Sequence, residues 1–376
     1  MQTHSKGRSL RPFFSLLKKD PVLLVAALAA VISAFFVPPS PAYLEAIDFR
    51  VLALLFCLMT VIAGFQQSGL FTLLSRRLLS GQKTLRLLIW ILVMLPFFSS
   101  MFITNDVALL TFVPFGILIL RTIEKKRLLI FVTVLQTVAA NLGSMLTPVG
   151  NPQNLFLYGR FELSPLPFFR AVLPFVLLSF LALSAASLST GGESVRVSFP
   201  EEACFSRRHA LLFSALFALC LLSVFRLLPY PVPLLVLLLY ALLFNRPLLR
   251  RVDYGLLLTF ICFFLFSGNI GQLPAVRSAL AAAMERSSLL VSVLCSQVIS
   301  NVPAAVLLSG FTADWHGLLL GVNIGGLGTP VASLASLISL KFYLREEPRG
   351  LGRYLLFFTA VNLLGLSLLL LLSILL

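Results

Sequence analysis

Charge is the scarcest commodity in this chain. Only 11% of its 376 residues are Asp, Glu, Lys or Arg, against about a quarter in soluble globular domains, so a water-soluble fold is excluded. Histidine occurs three times, at His4, His209 and His316, each near the end of an apolar segment. No histidine therefore stands where it could ligate a metal inside such a segment. The five cysteines (Cys57, Cys204, Cys220, Cys262, Cys295) contain no Cys-x-x-Cys pair and mostly fall within apolar runs, as small hydrophobic residues of a helical core do. Alternating ten-residue hydrophobic segments are missing too, which removes the β-barrel. Paired carboxylates within the segments and metal-dependent motifs are also lacking, so the chain is expected to be no enzyme and to use no cofactor.

What is abundant is apolar. Hydrophobic residues make up 59% of the chain, and the mean hydropathy is +1.00. Long runs recur at Pro21–Val37, Val51–Gly64, Ala171–Ala186, Ala210–Val224, Gly255–Phe266 and Tyr354–Leu376. Several approach the roughly 20 residues needed to cross a hydrocarbon core. The formal charge of +15 comes from Lys and Arg gathered in short connections: Lys6–Lys19, Arg76–Arg86, Arg121–Arg127, Arg196–Arg208, Arg246–Arg251 and Lys341–Arg353. That is the positive-inside pattern of a multi-pass membrane protein. No aromatic–basic interleaving accompanies it, so no nucleic-acid partner is expected. A basic segment before Pro21–Val37 resembles a signal peptide, yet Val37-Pro-Pro-Ser-Pro offers no small-x-small cleavage site, so a retained first helix is expected.

Two apolar regions, about 87–120 and 287–311, are interrupted by polar tips: Thr104-Asn105-Asp106 in the first, Ser300-Asn301 in the second. Read as re-entrant hairpins, they leave about nine crossings: near 21–37, 48–66, 128–158, 167–189, 209–227, 231–246, 254–272, 317–340 and 353–375. With a cytoplasmic N-terminus, this topology puts 23 of the 29 Lys and Arg inside; treating both regions as single crossings lowers that to 18. The charge bias favours hairpins, and it predicts an external C-terminus. Leu70–Leu79, short and amphipathic, is expected at the cytoplasmic interface. The Ser-, Gly- and Glu-containing stretch 189–208 reads as a cytoplasmic linker between half-repeats 1–188 and 209–376.

The halves resemble one another. Asn141-Leu-Gly-Ser-Met-Leu-Thr-Pro-Val-Gly-Asn-Pro-Gln-Asn-Leu155 aligns without gaps on Asn323-Ile-Gly-Gly-Leu-Gly-Thr-Pro-Val-Ala-Ser-Leu-Ala-Ser-Leu337, and Phe102–Val107 on Val298–Pro303. An odd number of crossings between the hairpins makes the second unit upside down relative to the first. An inverted repeat of broken helices is the recurring plan of secondary transporters. Where a helix stops, its terminal N–H and C=O groups lose their partners. Thr104, Asn105, Asp106, Ser300 and Asn301 are residue types that cap helix starts, whose N-termini attract anions. Carbonyls freed around Gly143–Pro152 and Gly325–Pro330, with oxygens of Asn141, Thr147, Asn151, Asn154, Asn323, Thr329 and Ser333, can coordinate a hard cation; Pro148 marks the first break. Asp106 alone of the acidic residues lies mid-segment, with Val302 at the matching place. An ionisable group at that depth is a functional candidate, and sodium bound by Asp106, Asn105 and Asn301 is the expected arrangement.

At these residues the chain resembles the ion transporter superfamily, which contains the divalent anion/sodium symporters, citrate transporters, arsenite permeases and a sodium/proton antiporter family. The Ile-Thr-Asn-Asp and Ile-Ser-Asn tips are similar to its Ser-Asn-Thr hairpin motif, and Thr147–Asn154 to the break that follows. Resemblance implies an all-α polytopic membrane fold, an elevator-type mechanism and, commonly, a homodimer in the cell (inner) membrane. The dicarboxylate symporters usually carry Thr as the third tip residue, where this chain has Asp106 and Val302. An acidic first tip is closer to the arsenite permease and antiporter branches. The expected activity is transport of a small anion, carboxylate or inorganic oxyanion, coupled to sodium or protons. A sodium/proton antiporter or arsenite-type efflux permease is the alternative.

Overall fold

A computed structural model describes residues 21–197 and 205–376. The basic N-terminal segment, His4 and Cys204 lie outside the described residues. The architecture is helical: α1 (Pro21–Phe36), α2 (Phe49–Gln67), α3 (Leu70–Leu79), α4 (Leu85–Ser99), α5 (Asn105–Thr122), α6 (Leu129–Ser144), α7 (Pro152–Arg160), α8 (Pro165–Leu188), α9 (Arg207–Val224), α10 (Pro231–Phe244), α11 (Tyr254–Ile270), α12 (Pro274–Ile299), α13 (Asn301–Leu308), α14 (Trp315–Ile324), α15 (Leu334–Glu346) and α16 (Leu351–Leu375). Local chemistry sets the starts. Asp48, Asn151, Asp253 and Asp314 each accept the N–H three residues on, and Pro152, Pro165, Pro231 and Pro274 occupy first turns, where a missing N–H costs nothing.

Among the described residues, seven helices are long and apolar enough to cross a membrane: α2, α5, α6 extended back to Lys126, α8, α9, α12 and α16. The chain is thus a multi-pass membrane protein. The expected crossings near 21–37, 231–246 and 254–272 are shorter apolar helices, within the 10–17-residue class. Those near 128–158 and 317–340 are each split in two, at residues 145–151 and 325–333. Ser287 has non-helical dihedrals and kinks α12, so only its second part faces α13.

One small ribbon was not foreseen from the sequence. Gly81–Thr84 (β1) pairs antiparallel with Ser194–Val197 (β2), Gly81 opposite Val197. The ribbon ties the stretch before α4 to the connection after α8. Lys125 pairs with Glu193 at 2.7 Å and Arg121 with Glu346 at 2.7 Å. Ser206 N donates to Ser68 O at 3.0 Å, and Asn245 Nδ2 to Gln67 Oε1 at 2.9 Å. These contacts gather the basic connections 76–86, 121–127, 246–251 and 341–353, with the described ends of the fifth at 196–197 and 205–208, at one end of the molecule. Arg50, Arg160, Arg226 and Arg277 stand at the other end, around Tyr158, Ser223 and a basin of about 560 Å³ bordered by Ser309–Ala313.

Packing divides the helices into two groups. α2 lies against α9 and α10, and α11 against α1. The second group contains both hairpins (α4–α5 and α12–α13), both split helices (α6–α7 and α14–α15), and α8 and α16. Within it the exchange is reciprocal: α15 packs on α5, and α7 on α13. The seam between the groups runs where α11 meets α13 and α2 meets α7.

Candidate functional site

The two hairpin tips and the two helix breaks meet in the middle of the second group. The backbone N–H of Asn105 donates to Gly150 O at 3.2 Å, and that of Asn301 to Ala332 O at 2.9 Å. Thr147 Oγ1 donates to Met101 O, and Thr329 Oγ1 to Gln297 O. In the alignment of the halves these are the same two bonds made twice. Each tip is therefore docked on the break of its own half by a backbone bond and a threonine hydroxyl.

Side-chain amides then join the halves. Asn141 Oδ1 accepts from Asn105 Nδ2 at 2.9 Å and Ser333 Oγ at 3.1 Å, while its Nδ2 reaches Gly326 O at 3.4 Å. Asn323 Oδ1 accepts from Asn151 Nδ2 at 3.2 Å, and its own Nδ2 donates to Asn154 Oδ1 at 2.7 Å. Asn151 also donates to Ser144 Oγ at 3.0 Å and caps α7 by accepting Asn154 N–H at 2.9 Å. All these amides are buried, so the network fixes both breaks in one arrangement. Gly143 permits it: a Cβ there would lie 2.1 Å from the Phe97 carbonyl oxygen. Gly325 meets Ser296 in the same way, at 2.9 Å.

Four helices, α5, α7, α13 and α15, begin at this centre, and the void beside them, about 10 Å³, is lined by Asn105, Asp106, Pro152, Gln153, Asn301, Val302, Ser333 and Leu334 and, from α11 across the seam, Leu256. That is room for one water-sized particle. A second cavity of about 350 Å³ adjoins it, a vestibule opening at the basic end. Thr104, Asp106 and Asn151 line its floor; Gln66, Arg251, Asp253 and Lys341 stand at its mouth. Asp106 borders both spaces, and its carboxylate makes no hydrogen bond or ion pair among the described residues.

Most sequence-predicted residues converge here: Thr104, Asn105, Asp106, Asn141, Gly143, Asn151, Asn154, Ser300, Asn301, Asn323, Gly325 and Ser333. Thr147, Pro148 and Thr329 stand in the breaks rather than on the void, and Thr329 is exposed. Ser300 carries φ of 74°, where its counterpart Thr104 is relaxed at −61°. Three glutamines went unnoticed. Gln153, 2% exposed, lines the void. Gln136 Nε2 takes up Leu92 O at 2.9 Å, the carbonyl that Pro96 leaves without a helical partner, and Phe112 O at 3.2 Å, joining both arms of the first hairpin. Gln297 holds the second break. For Gln136 and Gln297 an amide within an apolar helix was the available signal, whereas Gln153 stands between Asn151 and Asn154 in the first break.

A multi-pass helical bundle with two docked hairpin tips around a closed central void, reached by a vestibule, defines a membrane transporter. Comparison with known proteins narrows this. The profile of the citrate transporter family matches residues 13–314, and the chain belongs to that family. It is 33% identical to an uncharacterized transporter of Methanocaldococcus jannaschii, over 82% of this chain and 85% of that protein. It is also 33% identical to the inner membrane protein YbiR of Escherichia coli, over 88% and 90% respectively.

Proposed function

We propose that the chain carries a small anion, a carboxylate or an inorganic oxyanion, across the cell membrane, coupled to sodium ions or protons. One observation carries this reading: four helix N-termini converge on one void beside a single unpaired carboxylate. Each N-terminus presents about half a positive charge, so the centre attracts an anion. Asp106 opposes that attraction until a cation or proton neutralises it, and this is the coupling. The vestibule, about 350 Å³, has the volume for a small carboxylate above the void.

The twice-made docking bonds and the reciprocal packing of α15 on α5 and α7 on α13 support an inverted repeat. In this reading 1–188 and 209–376 are its halves, joined by a cytoplasmic linker at 189–208. The hairpin-bearing group moves as an elevator against α1, α2 and α9–α11, in a homodimer within the bilayer. The basic end is cytoplasmic by the charge bias, which leaves the C-terminus external. An open vestibule at that end, with the opposite end of the seam closed by Arg226 on Tyr158 and Gly159 carbonyls (both 3.3 Å), corresponds to an inward-facing state.

The unpaired carboxylate also favours a second reading, a sodium/proton antiporter or an arsenite-type efflux permease. Flux in proteoliposomes separates the two. Anion-dependent sodium or proton movement, abolished in Asp106→Asn with folding intact, supports the symporter. Sodium/proton exchange that ignores every anion tested would refute it in favour of the antiporter.

A further inference from the structure

We propose that the two ends of the transport route differ in charge, so that the anion loads at the basic end and leaves at the other, which makes this chain an exporter. The inference rests on the inverted repeat and the anion transport proposed above, and adds their direction. Each end has its own cleft along the seam between the two helix groups. At the basic end it is the vestibule, which reaches the floor at Thr104, Asp106 and Asn151. At the other end a cleft of about 520 Å³ lies between the start of α2, α7, α11 and α13, and it shares no lining residue with the void. Alignment of the halves relates the two clefts. Asp48 and Asp253 each cap the helix that follows, and each lines one cleft. That register sets Met59 of α2 against Phe264 of α11, and the alignment of the breaks sets Ile338 of α15 against Phe156 of α7. Phe156 and Phe264, with ring centroids 5.6 Å apart, close the outer cleft, while Ile338 and Met59 stand in the open wall of the vestibule.

The charges at the two mouths do not match. Arg251 and Lys341 outnumber Asp253 at the vestibule, whereas Glu45 and Asp48 outnumber Arg160 at the outer cleft. Asp106 does not tilt this comparison, because the floor faces whichever cleft is open. Lys341 and Arg160 do not tilt it either, being one cation each on the hairpin-bearing group. The difference comes from the other group: in the register that pairs Asp48 with Asp253, Glu45-Ala46 falls on Arg250-Arg251. Glu45 belongs to a short helix, Ala42–Ala46, packed on α11, and Arg251 to the connection between α10 and α11. Both charges therefore stay at their own end when the hairpin-bearing group slides. Arg50 and Arg226 stand behind the outer cleft, donating to Ser223 O and to Tyr158 and Gly159 O (all 3.3 Å), and do not line it. A cleft with low-dielectric walls focuses the field of the charges along it. The vestibule thus concentrates anions and the outer cleft depletes them. Gradients still set the direction of net flow; the mouths set the concentration at which each face saturates.

The first arm of the test needs no substrate. Cysteine is introduced in the full-length protein at Gln66, in the vestibule mouth, or at Gln272, in the outer cleft; both are exposed. Each thiol is labelled with an anionic sulfonatoethyl and a cationic trimethylammonioethyl methanethiosulfonate and read on its own peptide by mass spectrometry. The anionic-to-cationic rate ratio is expected to be about fivefold higher at Gln66→Cys than at Gln272→Cys, and the difference shrinks as salt is raised. Arg251→Gln lowers the ratio at the first site about twofold, and Glu45→Gln raises it about twofold at the second. The second arm measures uptake of radiolabelled citrate by everted and right-side-out membrane vesicles. Half-saturation is expected at about fivefold lower citrate in everted vesicles, and the pair Glu45→Arg with Arg251→Glu reverses that order. Equal rate ratios at the two cysteines, or equal half-saturation from the two faces, would overturn the proposal. If neither kind of vesicle takes up citrate, the labelling decides it, and the missing flux counts against the transport reading instead.

Discussion

Alanine at Gly143 tests how tightly the first break is bound to the first hairpin. The added methyl would lie 2.1 Å from the Phe97 carbonyl oxygen and 2.8 Å from Ser100 Oγ. Removing the overlap requires α4 and α6 to part by about an ångström, and neither is free to do so in a close-packed interior. Overpacking of this kind costs about 1–3 kcal/mol. The obstacle is backbone rather than a flexible side chain, so the upper end applies. Against it stands a gain of about 1 kcal/mol from alanine in a helix. The net expectation is a loss of about 2 kcal/mol, with the tip displaced and the Asn105–Asn141 bond broken. Gly352→Ala is the control: nothing lies within 4 Å of its added methyl, so it should gain about 0.5–1 kcal/mol. Thermal unfolding of the two variants in detergent, with flux per folded molecule in proteoliposomes, reads both effects. Wild-type stability and flux in Gly143→Ala would refute the close approach.

At the tips, Ser300→Thr should destabilise by about 1–3 kcal/mol because a β-branched residue is strained at positive φ, whereas Thr104→Ser should be nearly neutral; equal effects on Tm would contradict the assigned backbone. Arg226→Ala removes the two bonds that hold the end of α7 across the seam, worth about 1 kcal/mol and hence about a fivefold shift away from the inward-facing state. Faster labelling of a cysteine introduced at Ser309 by an external, membrane-impermeant thiol reagent is the expected readout; unchanged labelling would mean that the contact does not hold the seam.

The fold's outline was legible because its signals were local. Apolar runs, basic connections and the duplicated Asn-x-Gly-x-x-x-Thr-Pro-Val stretch are readable without knowing what packs on what. The interrupted stretches were legible for the same reason, since Pro, Gly and Asn act on the backbone where they stand. The β1–β2 ribbon was not, because Gly-Gln-Lys-Thr has no apolar alternation, Ser-Val-Arg-Val alternates over only four residues, and the two pair only once α4 and α8 bring them together. Nor were the roles of the glutamines. Gln136, Gln153 and Gln297 look alike in the sequence, yet one joins hairpin arms, one faces the void and one closes a break. Partner carbonyls up to 44 residues away determine which is which. The amide partners of the Met145, Thr147, Gly325 and Leu327 carbonyls were hidden for the same reason: a break announces its unsatisfied groups locally, but their partners are tertiary.

The asymmetry of the tips is what turns an anion site into a coupled one, and this can be put to a test. Four converging N-termini of about half a charge each amount to roughly two positive charges. With no carboxylate the centre would hold an anion unaided, and nothing would oblige a cation to accompany it. With one, Asp106, that attraction is roughly halved until a cation or proton neutralises the carboxylate. A second, at Val302, would match the N-terminal charge and remove the attraction altogether. Val302→Asp should therefore suppress anion-dependent flux while leaving cation binding in place or tightening it, because α13 gains in its first turn what α5 already has. The double exchange, Asp106→Val with Val302→Asp, restores one carboxylate to the pair of tips and should recover part of the coupling from the opposite side. Flux measured for the single and double variants against the same sodium and anion concentrations decides the matter. Undiminished anion flux in Val302→Asp would mean that the convergent helix ends do not set the charge preference of the site.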